Sequence, residues 1–168
     1  LRKPDKAVEV KFGGHIREER QEERTIFIHE DYEAVLAVPY DVPIVCFENN
    51  TVNTLRLWGA EAVNDGFDFA SFNRGEYLQA IGYQNSIGQI SKILYPQDDF
   101  YEGRVLRLKQ QYFFVSAGIQ SIIRRYKTAY SDIFQLPEKV GVHINDTHPA
   151  VAIPELMRIL MDEEDLSW

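Results

Sequence analysis

One apolar stripe constrains this chain more than any other feature. From Arg104 to about Tyr126, the residues Leu108, Tyr112, Val115, Ile119, Ile122 and Tyr126 recur at steps of four and three, and Phe113 and Ile123 widen the band. Steps of that size line up on one face of an α-helix. A band this broad predicts a helix that is mostly buried, so other elements must surround it. The same helix carries Arg104, Arg107, Lys109, Arg124, Arg125 and Lys127 without an acid among them. In a chain of formal net charge -8, such cations either pair with acidic neighbours, the expected arrangement, or form a local anion site.

Enough residues are present to bury that helix. The chain has 168 residues, 45% of them hydrophobic, which suits one domain with a real core and excludes a disordered chain. The acidic balance speaks against nucleic acid or an anionic membrane surface as partner. Cys46 is the single cysteine, so no internal disulfide forms and a reducing, cytoplasmic setting is favoured. No apolar run approaches a membrane span, and the first residues do not resemble a signal peptide.

The first third reads as antiparallel hairpins. Ala7 to Phe12 alternates, Gly13-Gly14 permits a bulge or sharp twist, and His15 to Arg20 can continue the ribbon. Arg17 to Arg24 mixes both signs and predicts a solvated hairpin end. Thr25 to His29 and Glu33 to Val38 return as strands around Glu30-Asp31, and Pro39, Asp41 and Pro43 punctuate the exit. Asn49-Asn50 signals a turn before a strand from Thr51 to Trp58, and Asn64-Asp65-Gly66 signals another turn. Asn73 is then a plausible N-cap for a helix from about Arg74 to Asn85, with Tyr77 and Ile81 four apart, Leu78 beside them, and Gly75 and Gly82 inside it. Two glycines weaken such a helix by up to about 1 kcal/mol each, so packing must support it. Ile90, Ile93 and Leu94 form the next apolar set.

Chemistry concentrates in two loops. Val140 to Ile144 reads as a short buried strand, Asn145 to His148 as a polar loop, and the following residues to Glu164 as an amphipathic helix. Pro149 and Pro154 fit only before a helix or in its first turn. An acid, a hydroxyl and an imidazole (Asp146, Thr147, His148) therefore stand where a strand's carboxyl end meets a helix's amino end, the crevice where open α/β sheets bind ligands. Capping and turn chemistry would explain the same residues. With His143 they could form a metal set, but the spacing matches no metal-binding pattern, and no metal is expected. The second loop is Asp98-Asp99 followed by Phe100-Tyr101. Carboxylates beside aromatic rings suit a sugar, hydrogen-bonding its hydroxyls while a ring covers its apolar face, although loop acids are also commonly just solvated. The helix end at Met161 to Asp165 gathers four acids against the macrodipole, with no Gly or Asn to close it. That pattern, and a first residue other than Met, lead us to expect a segment of something longer.

These stretches resemble a known family. NTLRLWGAEA (Asn53 to Ala62), ISKILYPQDD (Ile90 to Asp99), LRLKQQYFFVSAGIQSIIRR (Leu106 to Arg125) and INDTHPAVAIPELMRILMDEE (Ile144 to Glu164) are similar to the α-glucan phosphorylases, and PYDVPI (Pro39 to Ile44) joins them. The resemblance implies an α/β fold and a single incomplete domain over residues 1–168, an interior part of the family's amino-terminal domain. It carries antiparallel strands, a tower-like helix, a long buried helix and a strand-loop-helix unit. It implies a retaining glycosyltransferase that converts α-1,4-glucan and inorganic phosphate to glucose 1-phosphate in a cytoplasmic homodimer. Pyridoxal phosphate is the implied cofactor, held by a lysine of the carboxyl-terminal domain with no counterpart here, so the segment alone should be inactive. By resemblance Asp146 and His148 contact sugar or its waters. Gln97, Asp98, Asp99 and Phe100 correspond to the gate loop, with Asp98 and Asp99 as substrate-binding candidates. Gln97 and Asp99 depart from the commoner Asn-Asp-Asn pattern, which puts a direct sugar contact by Asp99 in doubt. Tyr77, Leu78 and Ile81 fall on the helix that packs across the dimer. Arg124 and Arg125 match a pair that binds the phosphate of an activating nucleotide in animal members; without the rest of that site they are structural by default. The alternative is a standalone sugar-binding or dimerisation module.

Overall fold

The computed structural model describes residues 1–21, 24–64 and 67–167. In chain order the described residues form strands β1 (Val8–Phe12), β2 (His15–Gln21), β3 (Arg24–Glu30), β4 (Glu33–Val45) and β5 (Val52–Ala62). Helices follow: α1 (Phe69–Asn73), α2 (Tyr77–Ala80), α3 (Gly82–Lys92), α4 (Tyr101–Ala129), α5 (Leu136–Lys139) and α6 (Ala152–Arg158). A π-helical turn (Ile159–Glu163) continues α6. The chain divides into two compact units, Leu1–Val10 with Ala34–Gln110 and Lys11–Glu33 with Gln111–Trp168.

In the first unit the sheet order is β1-β4-β5. Alternation buries Val8 and Val10 of β1, and Val35, Ala37 and Val38 are buried on β4. β4 and β5 pair antiparallel from Val35↔Ala62 to Val45↔Val52. The Asn49 turn closes this ribbon, its side-chain oxygen accepting the Thr51 amide at 2.8 Å. The prolines that should have ended β4 do not, because its register spares them. The Asp41 amide donates to the Leu1 carbonyl at 2.9 Å, and the Pro39 carbonyl accepts from the Lys3 amide at 2.8 Å. Residues 39, 41 and 43 share this parity and direct their main-chain groups away from β5, so Pro39 and Pro43 remove no bond from the β4–β5 ladder.

The predicted helix from Arg74 to Asn85 is not one helix. Asp68, not Asn73, is the N-cap that starts α1, its side chain accepting the Ser71 amide at 3.0 Å. Gly75 at φ +80 lies in the left-handed region and separates α1 from α2. Ile81, at φ -107 and ψ 3, breaks α2 from α3. Helix α3 buries Ile87 and Ile90 and stops at Lys92, so the predicted set fails beyond Ile90, and Ile93 and Leu94 are exposed. The loop that follows folds against the start of α4. A Cβ on Gly103 would clash with the Gln97 carbonyl oxygen. The buried Gln110 amide donates to the Ile93 carbonyl at 2.6 Å.

The second unit contains the β2–β3 hairpin, paired from His15↔Glu30 to Gln21↔Arg24. Gly13 and Gly14, at φ +65 and +73, turn the chain into it, and a Cβ on Gly14 would clash with the Glu30 carbonyl oxygen. β2 is exposed throughout, as its mixed charges require. Glu22 and Glu23 of the predicted hairpin end, Asp65 and Gly66 of the predicted turn, and Trp168 lie outside the described residues. The core of this unit joins Val115, Ile119, Ile123 and Tyr126 of α4 to Leu136, Ala152 and Ile159. The predicted stripe is therefore real, except that Leu108, in the first unit, is 58% exposed. Val140 is extended (φ -127, ψ 123), but Val140 to Ile144 forms no strand, and Gly141 to His143 are exposed. A buried parallel strand needs neighbours, and none flanks this one among the described residues.

Two stability outcomes follow from this packing. Ile159→Ala should cost about 2–5 kcal/mol by urea denaturation, whereas Leu108→Ala should cost less than about 0.5 kcal/mol despite its place in the stripe. Gly103→Ala forces a side chain into backbone, so it should cost about 1–3 kcal/mol and speed proteolysis between Tyr95 and Phe100.

Candidate functional site

The polar loop before α6 brings Asp146 and His148 together. Asp146 sits at φ +65, a conformation that aspartate tolerates better than most side chains. Its Oδ1 accepts the Thr147 amide at 2.6 Å, and its Oδ2 lies 3.3 Å from His148 Nδ1. The backbone hydrogen bond from Thr147, followed by the charge of His148, holds the Asp146 carboxyl below the usual aspartate range. Both side chains reach solvent, at 61% and 38% exposure. The pair is thus a charged acceptor beside an oriented imidazole, chemistry suited to a polyhydroxyl ligand.

Thr147 does not cap the helix. α6 begins at Ala152, behind Val151, with no side-chain cap. Instead a chain of main-chain bonds leads in: the Thr147 carbonyl accepts from Ala150 at 3.1 Å and the Pro149 carbonyl from Ala152 at 2.9 Å. Pro149 precedes the helix and Pro154 lies in its first turn, as their missing amides require. His143 is exposed in the segment between α5 and the polar loop. Among the described residues no group of three or more His, Cys, Asp or Glu side chains could hold a metal ion.

The acidic loop Gln97–Phe100 belongs to the other unit. Asp98 accepts a hydrogen bond from Arg107 Nη1 at 2.7 Å, so this carboxylate is tied to α4. Asp99 and Phe100 are exposed. Tyr95, at φ 57, turns the chain into the loop, and the Phe100 carbonyl accepts from Arg104 at 3.1 Å, opening α4. Tyr77 and Leu78 of α2 are 62% and 84% exposed, and Ile81 stands at the helix break. Arg124 and Arg125 are exposed on α4. Arg124 lines a 390 Å³ hollow that also contains Lys127, Glu163 and Glu164. Lys127 is bound there to Glu164 at 2.7 Å, so the surroundings carry both signs.

One functional candidate escaped the sequence. Glu155 is 3% exposed and is the one charged side chain buried among the described residues. Its oxygens accept from Ser116 Oγ at 2.6 Å, Tyr112 hydroxyl at 3.1 Å, and Arg158 Nε and Nη2 at 2.9 and 3.1 Å. Burial and then the Glu155 charge push the Tyr112 hydroxyl up. Burial opposes the Arg158 charge, but Glu155 and Glu163 outweigh it and hold the guanidinium above its ordinary range. Nothing in the spacing pairs Glu155 with α4; its place four residues before the buried Ile159 was the one available signal.

The carbohydrate phosphorylase family matches residues 1–168. The chain is 46% identical over 168 residues to the glycogen phosphorylase of Bacillus subtilis (strain 168), covering 100% of this chain and 20% of that protein. It is 45% identical over 174 residues to the human muscle form of glycogen phosphorylase, covering 99% of this chain and 20% of that protein. The Haemophilus influenzae glycogen phosphorylase is 46% identical over 166 residues, with coverage of 99% and 20%. The chain thus spans about a fifth of the length of these relatives. From end to end, this chain belongs to the carbohydrate phosphorylase family.

Proposed function

We propose that this chain is part of an α-1,4-glucan phosphorylase, a retaining glycosyltransferase that passes a glucosyl unit from glucan to inorganic phosphate and releases glucose 1-phosphate. The observation that carries the proposal is the Asp146–His148 pair, 3.3 Å apart on an exposed loop, in a chain that the family matches throughout. Asp146 accepts from sugar hydroxyls, and His148, aligned by Asp146, hydrogen-bonds the same ring or its waters. Gln97 to Phe100 serve as the gate loop, with the Asp98–Arg107 pair holding it in one arrangement. The two compact units are read as parts of one amino-terminal domain.

Pyridoxal phosphate, the cofactor implied by the family, does not fit this chain. Its ring needs a lysine in an enclosed site, and among the described residues no lysine is buried. No step through it is assigned to these residues, and this chain alone is inactive. The glucan-phosphorylase homodimer is formed through the exposed Tyr77 and Leu78, with Ile81 beside them, and the enzyme is cytoplasmic. Among the described residues no helix is long and apolar enough to cross a membrane. Arg124 and Arg125 stay structural; Glu163 and Glu164 share the hollow that Arg124 lines.

The test compares the isolated chain with the longer polypeptide that carries it. With maltodextrin, phosphate and pyridoxal phosphate, the chain alone should release no glucose 1-phosphate and the longer polypeptide should. Turnover by the 168-residue chain would overturn the assignment, and micromolar maltoheptaose binding by it would favour a standalone sugar-binding module. In the longer polypeptide, Asp146→Asn and His148→Ala should each raise the glucan KM about tenfold or more, consistent with about 1.4 kcal/mol per tenfold change.

The pH dependence has a definite sign. Asp146 is depressed in the folded chain. Its contribution is therefore full above the unfolded value of about 3.9 and is lost as pH falls through the folded value. A carboxyl-carbon NMR titration should show Asp146 with a midpoint below about 3.9; a midpoint above it would remove the ordered pair from consideration.

A further inference from the structure

Glu155 touches neither candidate loop, yet it decides where one of them stands. α6 has seven residues and no side-chain N-cap, so it cannot fix the loop before it unaided. Its apolar contacts through Ala152 and Ile159 hold it against α4 without setting a direction. Glu155 supplies the direction. Tyr112 and Ser116 stand four apart on one face of α4 and donate to different oxygens of the carboxylate, while Arg158, one turn on, donates to both. Such an arrangement accepts one rotation and one register of α6.

The cost of this carboxylate points the same way. A buried ion pair is no better for stability than apolar side chains of the same volume, and it is often worse. Its advantage lies in directional bonds, which specify geometry. The path from Glu155 to the loop is short and made of main chain. The Glu155 amide bonds the Val151 carbonyl at 3.1 Å, Ala152 bonds Pro149 at 2.9 Å, and Ala150 bonds Thr147 at 3.1 Å. Asp146 and His148 flank Thr147.

We propose that Glu155 is a positioning residue for the Asp146–His148 pair, acting through α6 and without contact to substrate. The part of this inference that concerns sugar rests on the proposed glucan-binding role of that pair. A misplacement of about 1 Å at a binding group can cost up to about a hundredfold in rate, so loss of the anchor should be felt at the loop.

The experiment reads geometry and function separately. In the chain, Glu155→Gln should move the Asp146 carboxyl titration upward, toward about 3.9, as its contacts to Thr147 and His148 loosen. In the longer polypeptide it should raise the glucan KM about tenfold and leave the phosphate KM within about twofold, a change of about 1.4 kcal/mol on the glucan side alone. Because Glu155→Gln also threatens folding, the double variant Glu155→Met with Arg158→Leu offers an apolar replacement. It should recover thermal stability while the Asp146 midpoint stays raised. Tyr126→Phe, which removes a part-buried hydrogen bond to the Asp132 carbonyl in the same unit, should lower stability and leave both the Asp146 midpoint and the glucan KM unchanged. An Asp146 midpoint unmoved in Glu155→Gln or the double variant overturns the positioning role. A moved midpoint with an unmoved glucan KM supports that role and instead sinks the sugar-binding assignment of the pair.

Discussion

A carboxylate can be buried only where its lone pairs are met, and α4 meets those of Glu155 with two side chains of one face while Arg158 supplies the opposite charge. The second unit is arranged around this requirement. The hydrophobic cluster holds α6 on α4, the carboxylate fixes which way α6 turns, and the loop ahead of α6 inherits that placement through main-chain bonds. α4 serves the first unit with other means. There Gly103 leaves room for the Gln97 carbonyl, Gln110 takes the Ile93 carbonyl, and Arg107 takes Asp98. In each unit a loop with candidate chemistry is held by side chains of a regular helix, which is how a loop can be precise and still exposed.

What the sequence revealed depended on the range of the interaction. Period-two strands were legible because alternation is local: β1 and β3 fall within a residue or two of expectation. β4 ran on past Pro39 and Pro43 because the cost of a proline depends on which edge its nitrogen faces, and that edge is set by β5 and by Leu1 and Lys3. The helix expected from Arg74 to Asn85 failed for a local reason. Gly75 takes the left-handed conformation, Ile81 leaves the helical region, and Asp68 had the better claim to a cap. Val140 to Ile144 has strand composition, but composition cannot provide a neighbouring strand.

The candidate site divides along the same line. Asp146 and His148 are two residues apart, so a turn suffices to join them, and the loop was visible as chemistry before any fold was known. Arg107 stood out only as one of six cations on α4; its partner, nine residues away, needed the loop to fold back. Glu155 was invisible because Ser116 and Tyr112 lie 39 and 43 residues away, and a glutamate in an acidic, amphipathic helix reads as solvent-facing. The acids at the end of that helix were legible as a conflict with the macrodipole but not as a resolved one. Arg158 binds Glu163 and Lys127 binds Glu164, which places cations where the helix end favours them.

Membership of a family fixes the ancestry of the fold, while chemistry must be argued from the site. Here the state of Asp146 narrows the chemistry. A carboxyl held low by a backbone amide and a histidine stays ionised, and an ionised carboxylate accepts hydrogen bonds but has no proton to give. A general acid requires the opposite environment, one that raises the pKa toward the working pH. Asp146 is thus poorly suited to protonate a leaving group and well suited to hold hydroxyls.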